Sequence, residues 1–199
     1  MAKPLILLLF VFYSCMTSTG SDTVLAKDYA AKHTDALAFC KSKGFSQEYY
    51  FLIDLGIHSG KKRFFIYDFE QKKIIDSNLV THGSCDILEN HSDKFEKARF
   101  SNTDGSHCSS LGKYKVDKRD YSGWGINVKY WLDGLESGNS NARERIVVLH
   151  SWEAVADEEI YPSYSPLSWG CPAVSDNFMR KLDAKLQNTK KPVFLWIVN

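Results

Sequence analysis

The chain has 199 residues, and 44% are hydrophobic, enough for one sizeable core. Lys+Arg number 25 and Asp+Glu 24, a formal net charge of +1 with no basic block, which excludes a nucleic-acid partner held by charge. An aromatic content of 14% excludes a disordered chain.

Residues 1–20 have the layout of a secretory or lipoprotein signal. Lys3 is followed by the apolar run Leu5 to Tyr13, and then by small polar residues. The run is too short for a membrane span. Cys15 stands where a lipid-modified cysteine would, and lipidation would attach the protein to a membrane. Plain cleavage and a retained anchor are the alternatives. All three place the chain outside the cytoplasmic membrane, in the periplasm or outer envelope, where cysteine pairs can oxidise.

Residues 21–48 form an N-terminal helical segment. Leu25, Tyr29, Ala36, Phe39 and Cys40 fall near one face between Ser21 and Lys43, and Gly44 stops the helix. Strands follow. "YYFLIDL" is an apolar run, and "RFFIYD" and "KKIIDSNLVTHG" flank the turn-like "FEQK" as a hairpin. Ser84 to Ser110 is a polar stretch too long for an ordinary connection, and reads as a functional loop. "LGKYKV" and "GWGINVKYWLDGL" read as strands, "ESGNSNARE" as a loop, and "RIVVLH" as a short buried strand ending at His150. Ser175 caps a short helix in which Phe178, Met179, Leu182 and Leu186 share a face. "KPVFLWIVN" closes the chain as a strand. The expected fold is mainly β with a helix near each end.

His150 lies 21 positions before Cys171, which sits in the Gly-containing turn "SWGCPAV". A thiol at its reference pKa of ~8.5 is mostly protonated at neutral pH, so a nucleophilic cysteine needs a base, and a nearby histidine can serve. Gly170 lets the backbone turn sharply. Pro172 removes the N–H after the candidate nucleophile, so an oxyanion hole must use N–H groups at or before Cys171, such as those of Cys171 and Gly170, with a hydroxyl as a further donor. Taken alone, a buried cysteine is usually core and a strand-end histidine usually structural. The order, histidine before cysteine, is not that of papain-like enzymes.

His150 with "SWGCPAV", together with "LVTHG", "FSNTDGSHCSSLGKYKV" and "LDGLESGNSNARERIVVLH", resembles the L,D-transpeptidase (YkuD-type) family, and within it the divergent murein L,D-transpeptidase catalytic domain-like branch. The resemblance runs over residues 49–199. It implies a β-sandwich or barrel-like catalytic domain acting on peptidoglycan stem peptides without a cofactor. Cys171 would attack the carbonyl of the L-centre of stem residue three, the terminal D-Ala would leave, and the thioester would pass to an amine of a neighbouring stem. His150 would be base and then acid, oriented by the carbonyl of Ser151. Ser168 matches the family's Ser/Thr and would donate to substrate or oxyanion. His82 matches a histidine of the divergent branch and would line the cleft or make a structural hydrogen bond. The family's second histidine is Trp169 here, a stacking wall with one N–H, and Pro172–Ala173 replaces the usual apolar-then-Asn or Arg.

Arg143 and Arg145 would grip a substrate carboxylate or form solvated pairs at a loop edge. Tyr114 reads as a core or wall aromatic. Asp157, Glu158, Glu159, Tyr161 and Tyr164 form an acidic, aromatic loop that would cap the cleft or simply be solvated. His82, Cys85, His107 and Cys108 have partly zinc-like spacing, but adjacent His107–Cys108 would strain a chelate. A Cys85–Cys108 disulfide is the preferred reading, with no metal and with Cys40 and Cys171 free. The expected protein is a monomeric exported cysteine acyltransferase. The alternatives are an L,D-carboxypeptidase using the same thioester and a peptidoglycan-binding protein without turnover.

Overall fold

The computed structural model of the protein describes residues 27–86 and 91–199. The signal segment, Cys15, and the part of the N-terminal helix predicted over 21–26 lie outside the described residues.

Helix α1 spans Ala30–Lys43 and ends on Gly44 in the left-handed conformation. Strands β1 (Tyr49–Asp54), β2 (Phe64–Asp68), β3 (Lys73–Asn78), β4 (Gly112–Tyr121), β5 (Val128–Gly134), β6 (Val148–Ser151), β7 (Ala173–Val174) and β8 (Val193–Val198) form one sheet. Helix α2 (Asp176–Gln187) lies between β7 and β8. The sheet order is β3-β2-β1-β8-β4-β5-β6-β7. β1–β8 and β6–β7 are parallel, and the other pairs are antiparallel. The fold is mainly β with a helix near each end, as the sequence predicts.

The two edges of the sheet come together. Past β3 the chain runs along the segment that leads into β7. Thr81 donates its N–H to Ala173, Ser168 to His82, and Ser84 to Ser168. The result is a nearly closed, barrel-like sheet. Fully buried Arg63 helps hold the closing segment: Nε and Nη2 donate to the Val80 carbonyl at 3.0 and 2.8 Å, and Nη1 to Ile57 at 3.0 Å.

β1 is buried on both faces, which is why it reads as an unbroken apolar run. Tyr49, Phe51 and Ile53 point inward with Tyr114, Leu132, Leu149 and Leu195. Tyr50 and Leu52 point outward, where α1 covers them with Ala36 and Cys40. Helix α2 begins on Ser175, whose hydroxyl accepts from the Phe178 N–H, and it buries Phe178, Met179 and Leu182 in the inner core. "GWGIN" departs from the expected strand. Gly125 (φ 54°) and Asn127 (φ 61°) are left-handed, so Trp124 to Asn127 form a turn, and β5 starts only at Val128. No helix among the described residues is long and apolar enough to cross a membrane.

Candidate active site

β6 and β7 build the centre of the site. They are parallel, with His150 opposite Ala173. Cys171 lies two residues before Ala173, beside the start of β6, and its Sγ accepts the Val148 N–H at 3.4 Å. The sheet therefore brings together two residues separated by a long loop. His150 and Cys171 line one cavity of about 310 Å³, with Trp124, Trp152, Leu167, Ser168, Trp169 and Ala173.

His150 is half-buried, and its Nδ1 lies 2.9 Å from the Ser151 carbonyl. A carbonyl can only accept, so Nδ1 carries the hydrogen and Nε2 is left as a proton acceptor. Burial holds the imidazole below its ordinary pKa, partly opposed by the Ser151 bond. Burial pushes the Cys171 thiol up, against the Val148 N–H and the Arg145 charge, which pull it down. Both directions favour a neutral thiol beside a neutral imidazole in the resting protein. The thiol contacts the Ile146 carbonyl at 3.5 Å, and no hydrogen bond joins it to His150 among the described residues. Such contacts often form only once substrate is bound.

The turn before Cys171 is fixed atom by atom. Gly170 has φ 109°, a conformation that side-chain-bearing residues rarely adopt. The Cys171 carbonyl accepts from the Ser168 hydroxyl at 2.7 Å and the Thr81 hydroxyl at 3.0 Å. Gly170 donates its N–H to the Ser168 oxygen at 3.2 Å. The Ser168 hydrogen and the Gly170 N–H are thus both engaged within the turn. The Cys171 N–H has no partner among the described residues.

The remaining sequence candidates lie around this centre. Trp169 is 75% exposed, and its ring stacks on His107 at 4.8 Å. His107 in turn is bonded to Asp86 at 3.2 Å. Arg145 is half-buried and donates to the carbonyls of Ser101 and Cys108. Arg143 is paired with Asp117 and Asp133. His82 is buried between the Arg63 guanidinium at 2.9 Å and the Lys94 carbonyl at 2.7 Å. Burial pushes its pKa down to about 4, with the Arg63 charge adding to the effect. Tyr114 is fully buried and bonded to Ser110. These four residues lie outside the cavity lining.

Cys85 and Cys108 form a disulfide, and Cys40 and Cys171 are free. Oxidised to each other, the two cysteines are not available as thiolate ligands. The loop after β6 packs on the β1–β2 connection: Ile160 and Tyr161 donate to the Gly60 carbonyl, and Glu158 and Glu159 bind Lys62. Trp124 and Trp152 were not evident as site residues. Trp152 follows the His-Ser pair directly. Trp124 is placed by Gly125, where a Cβ would lie 2.0 Å from the Ser151 hydroxyl.

The model of the L,D-transpeptidase catalytic domain family matches residues 22–196. No curated protein matches the chain. Among solved structures, Bd1075 of Bdellovibrio bacteriovorus is 16% identical with a TM-score of 0.44, over 78% of this chain and 49% of that one. The helical cell shape determining protein Pgp2 of Campylobacter jejuni is 14% identical with a TM-score of 0.43, over 83% and 54%. An L,D-transpeptidase of Xylanimonas cellulosilytica is 13% identical with a TM-score of 0.38, over 80% and 68%. The chain spans about half the length of the first two. With the family model covering nearly all of its length, this chain belongs to the L,D-transpeptidase catalytic domain family.

Proposed function

We propose that the protein is an exported L,D-transpeptidase that acts on peptidoglycan stem peptides through a thioester at Cys171. The observation that carries this reading is one cavity lined by Cys171 and by a histidine whose free Nε2 is fixed by the Ser151 carbonyl. On substrate binding, the thiol hydrogen leaves the Ile146 carbonyl and passes to Nε2 of His150. The sulfur adds to the carbonyl of stem residue three, and the Cys171 N–H stabilises the oxyanion. The intermediate collapses, His150 returns the proton to the leaving D-Ala amine, and the thioester remains. A neighbouring stem's amine attacks next, giving its proton to His150, and the thiol is released.

His150 must be neutral to act, and burial keeps it neutral further into acid than a free histidine. The acylation rate therefore rises with pH through a midpoint below the ordinary histidine value. The Cys85–Cys108 disulfide suits an oxidising compartment, which supports export. Arg143 and Arg145 already hold protein partners, so the reading assigns neither to the substrate.

Incubation with defined muropeptides, followed by mass spectrometry, tests the proposal. Cross-linked dimers are the expected product. Shortened monomers would indicate a carboxypeptidase sharing the thioester, and unchanged muropeptides a binding protein. The cavity lining carries a thiol and an imidazole, a pairing that a binding protein does not need, so turnover is expected.

A further inference from the structure

We infer that Ser109 is a positioning residue for acyl transfer: its hydroxyl orients the Gly170–Cys171 peptide so that the Cys171 N–H is presented to the oxyanion. The inference rests on the proposed thioester chemistry at Cys171.

Ser109 is 3% exposed and lies on the polar loop directly after the disulfide-bonded Cys108. Its hydroxyl oxygen accepts the Gly83 N–H at 3.0 Å, so its hydrogen is free to donate elsewhere. It donates to the Gly170 carbonyl at 3.4 Å. The Gly170–Cys171 peptide is trans, as the Tyr161–Pro162 bond is the cis bond of the described chain. In a trans peptide the C=O and N–H point in opposite directions. A carbonyl turned toward buried Ser109 therefore turns the Cys171 N–H away from it. That N–H has no partner among the described residues. Pro172 has no N–H to take its place, so this site depends on one peptide's orientation more than a site with a second donor would.

The loop backbone backs the same turn. A Cβ on Gly170 would lie 2.7 Å from the Cys108 carbonyl, and one on Gly83 would lie 2.6 Å from the Ser109 nitrogen. The Cys108 carbonyl accepts from Arg145 Nη2, and the Ser109 carbonyl from the Ser101 N–H. Ser109 is thus held on its own strand-like segment while its hydroxyl bridges to two others.

The test compares two reactions of Cys171 in the full chain. With p-nitrophenyl acetate, the thiol proton passes to His150 and sulfur adds to the ester carbonyl. The oxyanion then collapses, p-nitrophenolate leaves, and S-acetyl-Cys171 forms. With iodoacetamide, sulfur displaces iodide and no oxyanion develops. Ser109→Ala is expected to slow acetylation about tenfold, mainly in the rate at saturating ester, since a misaimed donor loses part of what a deleted one loses. Alkylation is expected to stay within about twofold, because it makes no call on an oxyanion donor. Ser109→Thr, which keeps the hydroxyl, is expected to recover most of the lost rate.

Unchanged acetylation in Ser109→Ala, or an equal fall in both reactions, overturns the inference. So does a wild-type protein that the ester fails to acetylate at Cys171. Ser109→Val carries the same expectation if Ser109→Ala does not fold, and failure of both to fold makes the role structural and ends the proposal. Ester acetylation that depends on Ser109, in a protein that leaves muropeptides unchanged, overturns the proposed substrate but not this inference.

Discussion

The layer under helix α1 and the turn that carries Cys171 are held by different forces. Under α1, Phe194 packs on the rings of Phe39, Phe45, Tyr50 and Trp196, with centroids 4.9 to 6.1 Å apart. There the stabilisation comes from burying apolar area, which is non-directional. At the turn, three hydroxyls, from Thr81, Ser109 and Ser168, fix the Gly170 and Cys171 carbonyls, and two glycines admit the neighbouring backbone. There the energy is small, and single atoms decide the geometry. The contrast teaches where damage should be read: in stability for the first region, in rate for the second.

The largest effect is expected at the turn. Cys171→Ala should lower muropeptide turnover by about a thousandfold or more with little change in stability, measured by product mass spectrometry and thermal unfolding. Turnover that survives the substitution would end the thioester mechanism. In the aromatic layer, Phe194→Ala should cost about 3–5 kcal/mol in denaturant unfolding. Its rate per folded molecule should stay near wild type, because Phe194 does not line the cavity.

The disulfide joins the two kinds of effect. Cys85 and Cys108 are 23 residues apart, and reducing the bond should cost about 3 kcal/mol by freeing the unfolded chain. Acyl transfer should fall as well, since Cys108 backs Gly170. A reduced protein with unchanged rate would show that the hydroxyls alone hold the turn.

His82 gives a pH test. Its folded pKa of about 4 lies below the ordinary 6.5, so the unfolded chain binds the extra proton first. The contribution is full above pH 6.5 and is lost as pH falls to about 4, roughly 3 kcal/mol in all. Urea unfolding between pH 7 and 4 should show that slope, and His82→Asn should flatten it. An unchanged slope would move the acid sensitivity to other groups. The smallest effect is expected at Trp169, where stacking is worth about 1 kcal/mol, so Trp169→Ala should raise KM about fivefold with a smaller change in kcat.

Much of this contrast can be read from the sequence, for physical reasons. Strand β1 shows as an apolar run because both its faces are buried. Helix α2 shows through Ser175 and the spacing of Phe178, Met179 and Leu182. His150 and Cys171 stand out because the segment from His150 to "SWGCPAV" resembles a family pattern; taken alone, each reads as structural. Trp124 does not show as a wall of the cavity, because the apolar residues of "GWGINVKYWLDGL" read as one continuous strand, which the left-handed Gly125 and Asn127 shorten to Val128–Gly134. Arg145 reads as a carboxylate grip or a solvated pair at a loop edge, and its donors meet the carbonyls of a loop 37 to 44 positions earlier in the chain, a contact no local pattern signals.

By itself the sequence determined the mainly β class and the helix near each end, which follow from local pattern and residue type. It offered His150 and Cys171 as the pair proposed to carry the chemistry through the resemblance of the segments around them to a family pattern. Only the tertiary structure decided the rest: the parallel β6–β7 pairing that sets His150 opposite Ala173, the cavity walls, and the Ser109 hydroxyl that meets the Gly170 carbonyl. These depend on backbone atoms of distant segments meeting in space, and a backbone carbonyl leaves no mark in the identity of its residue.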